Sequence, residues 1–133
     1  MKFSLPVVRK LVQTVLKFQK SNCREVSVYF VTEQIICDLH DEFFKDPSST
    51  DCISFPIDQE LLGEIFVCPK TAMVYSADHK QDPYTELALY IIHGLLHLLG
   101  YDDLEISKRR TMRKNEKKCM AECKTIIDML RPP

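Results

Sequence analysis

Apolar residues recur at helical spacing over residues 4–20, and this pattern predicts an opening helix. Ser4 can cap the helix, and Pro6 suits its first turn. The apolar face consists of Leu5, Val8, Leu11, Val12, Val15 and Leu16. A β-branched and aromatic stretch at residues 24–31 then predicts a strand. Thr32 can cap a second helix, which is expected to end before the loop-forming segment KDPSST.

Two short strands are predicted in the middle of the chain. Residues 51–57 and 63–68 are apolar and of strand length, and the polar residues DQE lie between them. Pro56 has no backbone N–H to donate, so it places the first of these strands at a sheet edge or a bulge. A short helix is expected to begin at Pro69. Strands and helices do not follow a regular βαβ alternation, and this favours the α+β class.

The most apolar segment is a predicted helix over residues 84–99, and it contains two histidines. Asp82 and Pro83 form a cap and first-turn pair for this helix, and Gly100 can terminate it. Because the helix is apolar on nearly every side, we expect it to be the buried central element.

Composition narrows the class of protein. A chain of 133 residues has the size of one domain, and no repeat or linker divides it, so we expect a single domain over residues 1–133. Apolar residues make up 45% and charged residues 28%, which argues against disorder. The longest uncharged apolar run is too short to cross a bilayer, and the first twenty residues do not resemble a signal peptide. We therefore expect a cytoplasmic protein without a membrane partner, in which the six cysteines are reduced thiols.

His93 and His97 lie one helical turn apart, so both rings leave the same face of the apolar helix. This spacing lets two imidazoles bind one metal ion. Gly100 can turn the chain back so that Asp103 supplies a third ligand, which leaves a fourth position for water. In the alternative interpretation, the histidines are hydrogen-bonded core residues, and Asp102 or Asp103 caps the next helix.

A last helix is expected from Leu104 to about Leu130, and its first half is rich in lysine and arginine. The residues predicted to point outward are Arg109, Arg110, Arg113, Lys114 and Lys117. They form either a solvated helix face or a surface that binds RNA phosphates.

Three blocks of the sequence resemble one family. HGLLHLLGYDD is similar to the H-G-x-L-H-L-x-G-Y-D-H signature of the YbeY family of bacterial ribosomal-RNA maturation endoribonucleases. SSTDCISFP is similar to that family's P-T-D-V-L-S-F-P, and LLGEIFVCP resembles its L-G-D-I-x-I segment. The resemblance extends over residues 25–125. It implies a zincin-like α+β fold, with packed helices, a small mixed sheet of about four strands and a central metal-binding helix.

Residue by residue, the resemblance makes His93, His97 and Asp103 the metal-binding and catalytic residues. Asp103 stands where the family usually has histidine. The implied cofactor is one Zn²⁺ ion, although a carboxylate ligand also suits a harder divalent metal. The family's functional arginine falls near Phe44, beside Lys45, which cannot form the same bidentate contact with phosphate.

The function implied by the resemblance is metal-dependent cleavage of single-stranded RNA. It belongs to 16S rRNA maturation and ribosome quality control, with the small ribosomal subunit or its assembly factors as partners. Gly94 occupies the position at which H-E-x-x-H metalloproteases carry their general base. The base is therefore expected elsewhere, and the candidate carboxylates are Asp51, Glu64 and Glu86.

Two other functions stay open at this point. One is a non-catalytic ribosome-assembly or RNA-binding factor that keeps the fold, which Phe44 and Asp103 favour. The less favoured one is a metalloprotease, since the sequence shows no base beside the first histidine.

Overall fold

Six helices and three strands form the described part of a computed structural model, which covers residues 1–23, 25–58 and 61–132. In chain order they are α1 (Leu5–Phe18), β1 (Val26–Phe30), α2 (Glu33–Phe44), β2 (Cys52–Pro56), β3 (Gly63–Val67), α3 (Pro69–His79), α4 (Pro83–Leu98), α5 (Ile106–Glu122) and α6 (Lys124–Asp128). The predicted α+β class is confirmed. Four residues of the predicted segments lie outside the described ones: Arg24, Gln59, Glu60 and Pro133.

The sheet is mixed, with strand order β1-β3-β2. The central strand β3 runs parallel to β1 and antiparallel to β2, so that Val28 and Ser54 flank Ile65 on its two sides. Pro56 ends β2, an edge strand, as predicted. Within residues 1–23, 25–58 and 61–132 there are three strands rather than the four or so that the resemblance implied. The three segments with β-branched and aromatic patterning account for all of them.

Helix α4 is the buried centre of the fold, as its apolar composition predicted. Nine of its sixteen residues are buried, and it packs against α1, α3, α5, α6, β2 and β3. Gly94 lies where α4 crosses β3, and a Cβ atom there would come within 2.7 Å of Ile65 Cγ2. The missing side chain therefore allows the helix to approach the sheet closely.

Side-chain caps begin three helices at the predicted residues. The hydroxyls of Ser4 and Thr32 accept hydrogen bonds from Val7 N and Ile35 N at the starts of α1 and α2. The carboxylate of Asp82 accepts one from the backbone N–H of the second residue of α4. These bonds satisfy backbone donors that no helical carbonyl can reach.

The prediction of one continuous helix from Leu104 to about Leu130 is wrong in its start and in its lack of a break. It begins at Ile106, and it divides at Cys123 into α5 and α6. Backbone hydrogen bonds from Cys123 N to Cys119 O and from Ile127 N to Cys123 O continue through the junction, where Cys123 has φ −99° and ψ 9°. Four residues on the two sides of this junction are buried in the core: Cys119, Cys123, Ile127 and Leu130. No helix in the described part of the chain is both long and apolar enough to span a membrane.

Candidate metal centre

His93 and His97 occupy one face of α4, in its last two turns. Their Nε2 atoms lie 3.0 Å apart. The side chains are 20% and 29% exposed, so the pair is partly shielded from water yet open to a ligand.

The loop after α4 returns the chain to the histidines. Gly100 adopts φ +105°, a conformation that L side chains rarely adopt, and its N–H donates to His97 O at 3.1 Å. The Tyr101 hydroxyl donates to Gln19 Oε1 at 3.0 Å and fixes the loop against the residue that follows α1. Gly100 thus terminates the helix as predicted.

Asp103 lies beyond this turn and faces both histidines. Its Oδ2 is 3.7 Å from His93 Nε2, and its Oδ1 is 3.8 Å from His97 Nε2. The alternative in which Asp102 or Asp103 caps the next helix is wrong, because Glu105 occupies the N-cap position of α5. Asp102 instead accepts a hydrogen bond from Leu104 N and pairs with Lys108 at 3.5 Å.

This donor set fits one divalent metal ion. The ligand atoms of His93, His97 and Asp103 all lie within 4.8 Å of one another. Ligand atoms about 2.0–2.2 Å from a tetrahedral ion are separated by roughly 3.3–3.6 Å. The distances between these three side chains, 3.0, 3.7 and 3.8 Å, are close to that range. Two nitrogens and one carboxylate oxygen are ligands that zinc accepts, with one position left open.

Glu116 completes the arrangement from α5, and sequence reasoning missed it. Its Oε2 is 3.2 Å from His93 Nδ1, and its side chain is only 13% exposed. A carboxylate on Nδ1 holds the imidazole in the tautomer whose Nε2 lone pair faces the other ligands. A signal for it existed in the sequence: Glu116 lies between the buried residues Met112 and Cys119, on the inner stripe of an otherwise basic helix.

The two histidines differ in proton affinity. Burial lowers the pKa of His93, but the hydrogen bond and charge of Glu116, with the charges of Asp51 and Asp103, hold that pKa above its ordinary value. Burial and the neighbouring His93 lower the pKa of His97, against the opposing charge of Asp103. His97 therefore offers a neutral ring at neutral pH, which is the form that binds metal.

The three candidate bases differ in whether they line a cavity beside the metal centre. Asp51 and Glu86 line a cavity of about 560 Å³ together with His93 and Asp103. Glu64, on β3 opposite Phe55, lines neither this cavity nor a second one beside the histidines. The structure thus brings two of the three predicted carboxylates to the site.

A second cavity, lined by both histidines, has a volume of about 380 Å³ and contains Phe44 and His40. Phe44 is 55% exposed, and its ring centroid lies 5.7 Å from that of His40. The ring Nδ1 of His40 is 2.8 Å from the carbonyl oxygen of Ser48. Lys45 ends α2 in a left-handed conformation and does not line this cavity.

Comparisons with known proteins agree with the resemblance seen in the sequence. The family model described as Endoribonuclease YbeY matches residues 2–124. An Endoribonuclease YbeY of Protochlamydia amoebophila is 46% identical over 132 residues, covering 95% of this chain and 88% of the relative. That of Chlamydia felis is 40% identical over 124 residues, covering 84% and 78%. The solution structure of a Thermotoga maritima protein matches with a TM-score of 0.67 at 28% identity, over 88% of this chain and 81% of that one.

Proposed function

Because this chain belongs to the endoribonuclease YbeY family, we propose that it is a metal-dependent endoribonuclease that cleaves phosphodiester bonds of single-stranded rRNA. His93, His97 and Asp103 are its metal ligands and catalytic residues. The observation that carries this proposal is that their ligand atoms lie within 4.8 Å of one another, beside two cavities that His93 lines.

The side chains around the metal centre have distinct roles in this reaction. A divalent metal at this centre supplies Lewis-acid polarisation of a phosphoryl oxygen and acidifies a water molecule. Glu116 orients His93, and the backbone of Tyr101 makes a hydrogen bond to His97. Asp51, whose charge acts on His93, is our choice for the group that receives a proton from the attacking water or hydroxyl.

Zinc is the metal we propose, with one ion per chain. Asp103 adds a negative charge and an oxygen donor where a third imidazole would add neither, so Mn²⁺ is a second candidate. We further propose that the whole chain forms one zincin-like domain. The RNA is the 16S precursor, met in the cytoplasm on the small ribosomal subunit or with its assembly factors.

The two alternatives are less well supported. Curated relatives that share 38–46% of their residues with this chain are named endoribonucleases, and the ligand geometry is complete despite Asp103, so a non-catalytic assembly factor is not favoured. A metalloprotease of the H-E-x-x-H type needs a carboxylate at position 94, where even a Cβ atom would approach Ile65 to 2.7 Å.

The test combines metal analysis with RNA cleavage. Protein purified without added metal is analysed by mass spectrometry, and a single-stranded 16S precursor transcript is incubated with wild type, His97→Ala and His79→Ala. His79 is an exposed histidine on α3, so it serves as the matched control. We expect about one metal ion per chain and cleavage that His97→Ala abolishes while His79→Ala retains it. Cleavage unchanged by His97→Ala would refute the proposal.

A further inference from the structure

Two arginines of the basic helix border the metal centre. Arg109 and Arg113 line the 560 Å³ cavity that also contains His93, Asp103 and Glu116. The other outward-pointing basic residues of α5 do not line it: Arg110, Lys114 and Lys117. The basic helix is therefore not a uniform surface, because one pair of its cations faces the reaction site.

Helical geometry explains why Arg109 and Arg113 line the cavity. Arg109 and Arg113 are four residues apart and share a face of α5 with Met112, which is buried against the core, and Glu116, which contacts His93. Both arginines are exposed, and both line the cavity beside the packed part of that face.

The guanidinium groups have no partner of opposite charge within the described parts of the chain. No carboxylate there lies within ion-pair distance of Arg109 or Arg113, although carboxylates line the same cavity. Two cations that face a cavity without a counter-ion form a site suited to an anion.

Each carboxylate of the cavity is already engaged elsewhere. Glu116 is held by His93, and Asp103 faces the histidine pair. The Oδ1 atom of Asp51 accepts a hydrogen bond from Cys52 N at 2.7 Å, and Glu86 accepts one from the Tyr90 hydroxyl. These carboxylates consequently leave the two arginines to an external ligand.

We infer that Arg109 and Arg113 form a binding subsite for an RNA backbone phosphate next to the phosphodiester that is cleaved. This inference rests on the proposed function. An endonuclease must hold its substrate on both sides of the scissile bond, and His93 lines both cavities. A strand that occupies both cavities contacts the arginine pair in one and the exposed ring of Phe44 in the other. Guanidinium groups bind phosphate with paired, directional hydrogen bonds, which lysine cannot reproduce.

The experiment measures RNA binding apart from cleavage. A fluorescent 2′-O-methyl RNA dodecamer, whose integrity is checked on a gel, is titrated with zinc-loaded protein over a range of salt concentrations. The variants are Arg109→Ala/Arg113→Ala, the matched control Arg110→Ala/Lys114→Ala, which removes the same charge from exposed positions of the same helix, and Arg109→Lys/Arg113→Lys. All are compared for helical content and metal content, which substitutions at exposed positions should leave unchanged.

We expect the alanine pair in the cavity to weaken binding about tenfold or more, and equally for oligouridine and oligoadenosine. Two lost phosphate contacts should reduce the steepness of log K against log salt by roughly 1.4 for a single strand. The lysine pair should restore the salt dependence but only part of the affinity. In cleavage assays, the alanine pair should raise KM more than it lowers kcat.

Any of three results would overturn the subsite. One is an equal loss of binding in the Arg110→Ala/Lys114→Ala control, which would make α5 a diffuse basic surface. The others are wild-type-like binding by Arg109→Ala/Arg113→Ala and no binding by wild type. The proposed function fails separately: wild-type protein that binds RNA through the arginine pair but cleaves no RNA with zinc or manganese keeps the subsite and loses the nuclease.

Discussion

The substitution Gly94→Ala tests whether the position of α4 depends on its close contact with the sheet. In the structure, a Cβ atom at residue 94 would lie 2.7 Å from Ile65 Cγ2 and 3.3 Å from Ser54 Oγ. Ile65 is completely buried on the central strand, and its Cγ2 belongs to a β-branched side chain with little rotamer freedom. The helix must therefore move away from β3, or Ile65 must leave its preferred rotamer.

The expected magnitude follows from two opposing effects. Overpacking a well-packed core costs about 1–3 kcal/mol. Alanine in place of glycine inside a helix returns up to about 1 kcal/mol. A 2.7 Å approach to Ile65 Cγ2 is closer than real Cβ contacts, so the cost should lie in the upper half of its range, and we expect Gly94→Ala to lower the free energy of unfolding by roughly 1–2 kcal/mol. Because His93 is the adjacent residue, the same displacement should weaken metal binding.

Urea denaturation of metal-free protein measures the stability change, and competition with a chelator measures metal affinity. Ile65→Ala, alone and combined with Gly94→Ala, forms a double-mutant cycle around the contact. The combined variant should lose less stability than the sum of the two single changes, since Ile65→Ala removes the atom that the new methyl group meets. A Gly94→Ala protein as stable as wild type or more so would refute the reasoning, because helix propensity alone would then decide the outcome.

Three further predictions concern Glu116, the proposed metal ligand Asp103, and Asp82 at the start of α4. Glu116→Ala should weaken zinc binding by about 10–100-fold, with partial recovery in Glu116→Gln, because His93 loses the acceptor on its Nδ1. Chelator competition checks this, and an equal effect of the exposed Glu122→Ala on the same helix would contradict it. Asp103→His should shift cleavage in favour of zinc over manganese, since a softer donor replaces an oxygen; an unchanged ratio of rates with the two metals would contradict this. Asp82→Asn should cost at most about 1 kcal/mol at pH 7, because the side chain is 37% exposed and its charge is screened. Burial opposes ionisation of Asp82, but hydrogen bonds from Thr85 and the backbone N–H of Tyr84, and the charge of Arg131, lower its pKa. The ionised Asp82 carboxylate therefore contributes to the free energy of unfolding at pH values above its unfolded pKa of about 3.9. This contribution is lost as the pH falls through the folded pKa. Urea denaturation of wild type and Asp82→Asn from pH 7 to pH 3 should show the difference in stability shrinking, and a constant difference would contradict the assignment.

Much of the fold could be predicted from the sequence because its signals are local. Helix starts at Ser4, Thr32 and Asp82 depend on hydrogen bonds within three residues of the cap. The buried position of α4 follows from its own composition, and the approach of Asp103 follows from the left-handed glycine three residues earlier. Both features lie within one stretch of the chain, so no knowledge of the other elements was needed.

The features that sequence reasoning missed depend on contacts between distant segments. Glu116 meets His93 across 23 positions, and only the packing of α5 on α4 brings the two residues together. The division of the last helix at Cys123 likewise lies where Ile127 and Leu130 pack into the core with residues of distant segments. The exclusion of Glu64 from the site depends on which side of β3 faces α4, and the short strand pattern did not settle this.

The negative charge of Asp103 and the positive charges of Arg109 and Arg113 act on the same cavity. Four carboxylates line the larger cavity, those of Asp51, Glu86, Asp103 and Glu116, and they create a negative environment that repels a phosphodiester. One divalent ion offsets two of these charges, and the pair Arg109 and Arg113 offsets the other two. Phe44 contributes no charge in the other cavity. The cavity through which RNA reaches the site therefore loses its negative charge only when both the ion and the arginine pair are present. Asp103 adds one negative charge that a neutral third ligand would not, so the cavity depends more strongly on both.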